Sequence, residues 1–145
     1  MKSLPASRPL PRLTASAIAE MPEPDCWREL ELAAVGRLAM VGPDGIDIVP
    51  VNYLVSGRSV LFRSAPGAKL AQLTGAGDVA FEADGLDDGV RWSVVLHGHA
   101  RRLDADDEIE ASGILRLHPD APREMNNFVR VTPTRITGRR FHPEH

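Results

Sequence analysis

The strongest constraint on this chain is its punctuation. Short runs rich in β-branched and aromatic residues recur from Arg37 to Phe141, separated by turn signals. Residues 37–41 read as a short strand, and Gly42-Pro43-Asp44-Gly45 closes it as a turn. Residues 46–55 form a long run, Ser56-Gly57-Arg58 turns the chain, and 59–64 complete three consecutive strands of a meander. Pro50 has no N–H for a ladder, so the second strand must lie at an edge, bulge or bend there. A fourth strand covers 78–83, a loop 84–90, and a fifth strand 91–103, with Gly98 marking a bulge or bend. The sixth extended segment, 128–141, is interrupted at Pro133. Short helices are expected at three places. One opens at Pro24-Asp25, carries the stripe Trp27, Leu30 and Ala34, and ends at Gly36. The others cover 68–74 and, after an Asp104 cap, roughly 105–117. Six strands with short turns predict a mainly β fold: a six-stranded antiparallel barrel with a few short helices.

The 145 residues suit one domain. Residues 1–23, with Pro5, Pro9, Pro11 and Pro22, read as a flexible arm, and 24–145 as the folded domain. A net charge of −3 argues against a nucleic-acid partner, because little would drive counterion release from a phosphate backbone. Cys26 is the only cysteine, so no intrachain disulfide can form. No run approaches the ~20 apolar residues of a membrane span, and no secretory leader is evident, so a soluble cytoplasmic protein is expected.

Chemistry concentrates in one stretch, Leu61-Phe62-Arg63-Ser64-Ala65-Pro66-Gly67-Ala68-Lys69-Leu70. An arginine and a hydroxyl leave a strand, a Gly-containing turn follows, and a lysine stands in the first turn of a helix. A guanidinium fork, a hydroxyl donor, an ammonium and free helix N–H groups together make a competent anion site. A solvated surface turn has the same spacing. Lys69 stands out, because the chain carries fifteen arginines and only one lysine besides it, Lys2. His97 and His99 share a strand face and could hold a metal only with a third ligand. No metal is expected. Cys26, Trp27, Tyr53 and Phe81 read as core residues, and no residue stands out as a general acid or base.

The order Gly36-Arg37-Leu38-Ala39, Val49-Pro50-Val51-Asn52-Tyr53, then Leu61 to Lys69-Leu70 resembles the pyridoxamine 5′-phosphate oxidase-like FMN-binding split-barrel family. Within it, the sequence is most similar to the small members near the nitroimidazole-resistance proteins. The resemblance continues through Val79-Ala80-Phe81-Glu82 and Trp92-Ser93-Val94-Val95 to Thr132-Pro133-Thr134-Arg135-Ile136-Thr137-Gly138-Arg139. It implies a homodimer with FMN at the subunit interface. Arg63, Ser64 and Lys69 would hold the phosphate, and the backbone at Pro50, Val51 and Asn52 would face the ring. Trp92 would pack near the cofactor from the other subunit, or else in the core. The implied function is an FMN-dependent oxidoreductase acting on a small molecule. The alternatives are a deazaflavin-coenzyme-dependent reductase of the same fold and a non-catalytic flavin- or haem-binding protein. Arg63 stands where nitroimidazole-resistance relatives commonly carry a histidine, so the resemblance names no substrate.

Overall fold

The computed structural model describes residues 18–64, 78–103, 109, 112–114 and 127–142. Along the chain run β1 (Ile18–Glu20), α1 (Glu23–Leu32), β2 (Val35–Gly42) and β3 (Gly45–Val55). They are followed by β4 (Val60–Ser64), β5 (Asp78–Asp87), β6 (Val90–Leu103) and β7 (Asn127–Phe141). The neighbour order is β1-β7-β4-β3-β2-β5-β6, and β6 pairs back onto β7, closing β2 to β7 into an antiparallel ring. A barrel closed this way protects most strand edges.

The sheet therefore has seven strands rather than the expected six. The addition is β1, whose residues pair with Arg139, Arg140 and Phe141 of β7. Those residues belong to the segment read as an arm. Three residues are too few for a period-of-two pattern to register, so pairing supplied by β7 decides their conformation.

Alternation places the core. Leu38 and Met40 of β2, Val51 and Tyr53 of β3, and Phe81 and Ala83 of β5 all point inward and are buried. Cys26, Trp27 and Leu30 of α1 pack onto the same cluster, whereas Ala34, expected on that stripe, lies outside the helix and is exposed. Full burial of each large apolar side chain is worth ~1.5–3 kcal/mol before conformational entropy is subtracted. The Tyr53 ring meets Phe81 edge-on, with centroids 4.9 Å apart, and its hydroxyl donates to the Leu30 carbonyl at 2.7 Å. Burial pushes the Tyr53 hydroxyl pKa well above the ordinary phenol value. On the outer side of β4 and β7 a second cluster gathers Leu61, Leu103, Ile114 and Phe128.

Several local readings change. Gly36 does not end the helix, which stops at Leu32; it lies in β2, where a Cβ would run into the Phe81 ring. The stretch 84–90 is not a loop: β5 continues to Asp87, and Asp88-Gly89 turn the chain with φ of 54° and 78°. Two positive φ values in a two-residue link form a type I′ turn, whose twist matches the flanking strands. At Gly98 the register between β6 and β7 shifts, with His97 opposite Arg135 and Gly98 opposite Pro133. Thr134 is the extra residue of that bulge. Pro133 thus interrupts the pairing locally while β7 continues through it. The expected helix at 68–74 lies outside the described residues, as does most of 105–117.

Candidate functional site

β3 changes neighbours half-way along. Gly45 to Asn52 pair with β2, whereas only Tyr53, Leu54 and Val55 pair with β4. Among the described residues the other edge of β3 from Gly45 to Asn52 has no strand beside it. Direction follows from one bond: the Tyr53 N–H donates to the Ala34 carbonyl at 3.2 Å. In an antiparallel pair such contacts recur at every second residue, so Val51, Val49 and Asp47 also turn their backbone groups toward β2. The N–H and C=O groups of Ile46, Ile48 and Asn52, and the Pro50 carbonyl, face the open edge. Pro50 therefore sits where its missing N–H costs no ladder bond.

The outward face beside this edge is apolar. Ile46 is 74% exposed and Ile48 67%, and their cross-strand partners are Val41, itself 65% exposed, and Ala39. Pro50 and Asn52 lie on the same face and are exposed, opposite Arg37 and Val35. Arg37 is fixed there by Glu82 at 2.6 Å and Asp84 at 3.1 Å. The Glu82 hydrogen bond raises its pKa, so it stays charged. Nothing in the sequence spacing pointed to this triad, because both acids stand on β5, 45 and 47 residues along the chain from Arg37.

Extending the Tyr53–Phe62 register by one step sets Asn52 and Arg63 on the same outward face, at the fork where β3 and β4 separate. Arg63 is half-buried, its guanidinium carbon 5.2 Å from the Phe128 ring centroid. Ser64 ends β4 opposite Asn127. Lys69 lies outside the described residues. The fork thus brings Pro50, Asn52 and Arg63 together. Val51 differs: its side chain is in the core and its backbone groups turn to β2. Trp92 is 4% exposed and part of the core cluster, the second of the two expected placements. It stands eleven residues along β6 from Leu103, the partner of Phe128, so it does not join Arg63 within one chain.

The two histidines take separate partners. Arg135 Nη2 lies 3.2 Å from His97 Nδ1, and His99 Nδ1 lies 3.1 Å from an Asp78 carboxylate oxygen. Among the described residues no group of three or more potential ligands gathers around a metal position. No helix of the described residues is long and apolar enough to cross a membrane.

An edge without a strand partner among the described residues, an apolar platform and a guanidinium at one end suit a flat, partly anionic ligand. Comparison with known proteins points the same way. The family model for pyridoxamine 5′-phosphate oxidase matches residues 22–140. The chain belongs to that family. An uncharacterized protein of Mycobacterium tuberculosis is 41% identical over 93 residues, which cover 63% of this chain and 84% of the relative. The structure of an FAD-binding protein from Mycobacterium smegmatis superimposes with a TM-score of 0.68 at 34% identity, covering 87% of this chain and all of that one. A Corynebacterium glutamicum protein, provisionally assigned as a pyridoxamine 5′-phosphate oxidase, gives a TM-score of 0.75 at 33% identity over 89% of this chain and 97% of its own. A nitroimidazole-resistance-like protein from Bacteroides thetaiotaomicron shares the fold at 13% identity, with a TM-score of 0.65. The split barrel is thus the fold of this pyridoxamine 5′-phosphate oxidase family member.

Proposed function

We propose that this family member is a cytoplasmic homodimer that binds FMN along the open edge of β3 and acts as an oxidoreductase on a small molecule. The observation that carries the reading is the fork. Backbone groups of Ile48 and Pro50, which have no strand partner among the described residues, and the Asn52 N–H can meet the polar rim of a ring, while Arg63 stands at the end suited to a phosphate. Ser64 and Lys69 would complete the phosphate contacts. The exposed apolar face of β2 and β3 supports a second copy covering the ring, because single exposed apolar residues are ordinary but a contiguous group marks an interface. Bound flavin would supply electron and hydride transfer. The chain's own part is to orient the ring, exclude water from its face, and set its charge environment. A nearby donor such as the Asn52 N–H or the Arg63 guanidinium would favour the more negative, reduced ring.

FAD is a second reading, favoured by the FAD-binding relative from Mycobacterium smegmatis. The same groups would hold its FMN portion. An absorbance spectrum of purified protein, before and after incubation with FMN, FAD or a deazaflavin coenzyme and removal of excess, tests the proposal. About one equivalent of retained flavin per chain is expected, with retention falling about tenfold or more in Arg63→Gln and in Lys69→Gln. Retention of the deazaflavin alone, or of nothing, overturns the FMN reading. Bound flavin that no nicotinamide donor reduces overturns the oxidoreductase reading and leaves a binding protein.

A further inference from the structure

Between the C-terminal turn of α1 and the β5–β6 hairpin lies a cleft of about 220 Å³, lined by Glu29, Leu32, Gly85, Leu86, Asp87 and Trp92. It is separate from the fork, and its size suits a single-ring molecule, since sites for larger ligands begin at ~300 Å³.

Three observations describe what it would accept. Trp92 is 4% exposed, yet its indole N–H has no hydrogen-bond partner among the described residues. Its Nε1 lies 2.9 Å from where a Cβ on Gly85 would sit, so the N–H edge borders the cleft and the bare glycine keeps it open. An unsatisfied buried donor costs ~1–3 kcal/mol and calls for an acceptor. Second, the Glu29 side chain is 4% exposed and faces the exposed Asp87 within hydrogen-bonding reach, so two carboxyls meet at the cleft. Third, positive charge is short. Asp25, Glu29, Glu82, Asp84 and Asp87 share Arg28, Arg37 and Arg140: Arg140 is 3.3 Å from Asp25 and 3.8 Å from Glu29, and Arg37 is held by Glu82 and Asp84. Leu32, 72% exposed, and Leu86, 59% exposed, give the mouth an apolar rim.

We propose that this cleft is a binding site for a small amidine-type heterocycle, an aminopyrimidine or a molecule with the same edge. Its amino and protonated ring N–H groups donate to the Glu29–Asp87 pair. Its remaining ring nitrogen accepts from the Trp92 indole, and its carbon edge lies between Leu32 and Leu86. A cationic ligand gives the two facing carboxyls a shared positive partner, and any proton that they hold passes to solvent. A simple carboxylate is rejected by the same acids, and a simple ammonium leaves the indole N–H unpaired. The inference does not rest on the flavin reading, because cleft and fork use different residues.

The test is a titration of the full-length protein, as purified, with 2,4-diaminopyrimidine, followed through indole N–H resonances. The chain has two tryptophans, Trp27 and Trp92, and Trp92→Phe identifies the signal. A saturable shift of the Trp92 resonance is expected, with the Trp27 resonance unmoved and benzoate without effect. Glu29→Gln and the exposed Asp87→Asn should each weaken binding about tenfold, equivalent to about 1.4 kcal/mol. Asp87→Asn keeps the test decisive if Glu29→Gln fails to fold. No saturable shift at millimolar probe, unchanged affinity in Asp87→Asn, or equal shifts of both tryptophans would overturn the proposal.

Discussion

Glu29 is a buried carboxyl that faces a second one. Burial is the main cause that lifts its pKa above the ordinary glutamate value of 4.5; the hydrogen bond and charge of Asp87 add to it, and Arg140 and Arg28 oppose it. The folded carboxyl thus keeps its proton to higher pH than the unfolded one. Stability from this group is full below the unfolded value and falls as pH climbs through the window up to the raised value. Glu29→Gln removes that fall, so thermal melts should show the variant gaining on the parent as pH rises above the ordinary glutamate value of 4.5. A gap that widens toward acid instead would reverse the sign argued here. Tyr53 offers a contrasting case, a buried hydroxyl with one good acceptor. Tyr53→Phe leaves the Leu30 carbonyl without its 2.7 Å donor, and denaturant titration should show a loss of ~1–2 kcal/mol.

At the scale of elements, what the sequence revealed depended on how locally each feature is encoded. The β2–β3 turn, the break at Pro50 and the bulge at Gly98 were legible because Pro and Gly restrict the backbone wherever they stand. The β5–β6 hairpin was not: Gly85 and the three acidic residues Asp84, Asp87 and Asp88 dilute the strand pattern, and cross-strand pairing with residues 90–93 overrides it. The Asp88-Gly89 pair was the signal that could have found it. In the candidate site, Arg63, Pro50 and Asn52 could be picked out by residue type and order. Which backbone groups stay unpaired depends on the register with β2, so Val51 could not be told from its neighbours. The bulge supplies an element-scale prediction. A Cβ at Gly98 would overlap the Thr132 carbonyl oxygen and lie 2.9 Å from Pro133 Cα. Gly98→Ala must push β7 away from β6, and a loss of ~3 kcal/mol or more is expected in denaturant melts.

At the scale of the whole molecule the proposal to test is the second copy. Its predicted contact is the outward face of β2 and β3, where Val41, Ile46 and Ile48 remain exposed in the single chain. Placing two charges there, with Ile46→Lys and Ile48→Lys together, should leave the barrel folded by circular dichroism. Sedimentation should then shift from dimer to monomer, with flavin retention lost alongside. A dimer that survives both lysines would move the interface elsewhere. One feature of the ring reaches further. β7 is partner to β1, β4 and β6 at once, yet it follows all of them in the sequence. Until β7 has been made, β1, β4 and β6 each lack a partner along one edge, and the hairpins formed earlier cannot close into the ring. Closure of the ring is thus a late, long-range event of the slow kind expected when pairing is non-local.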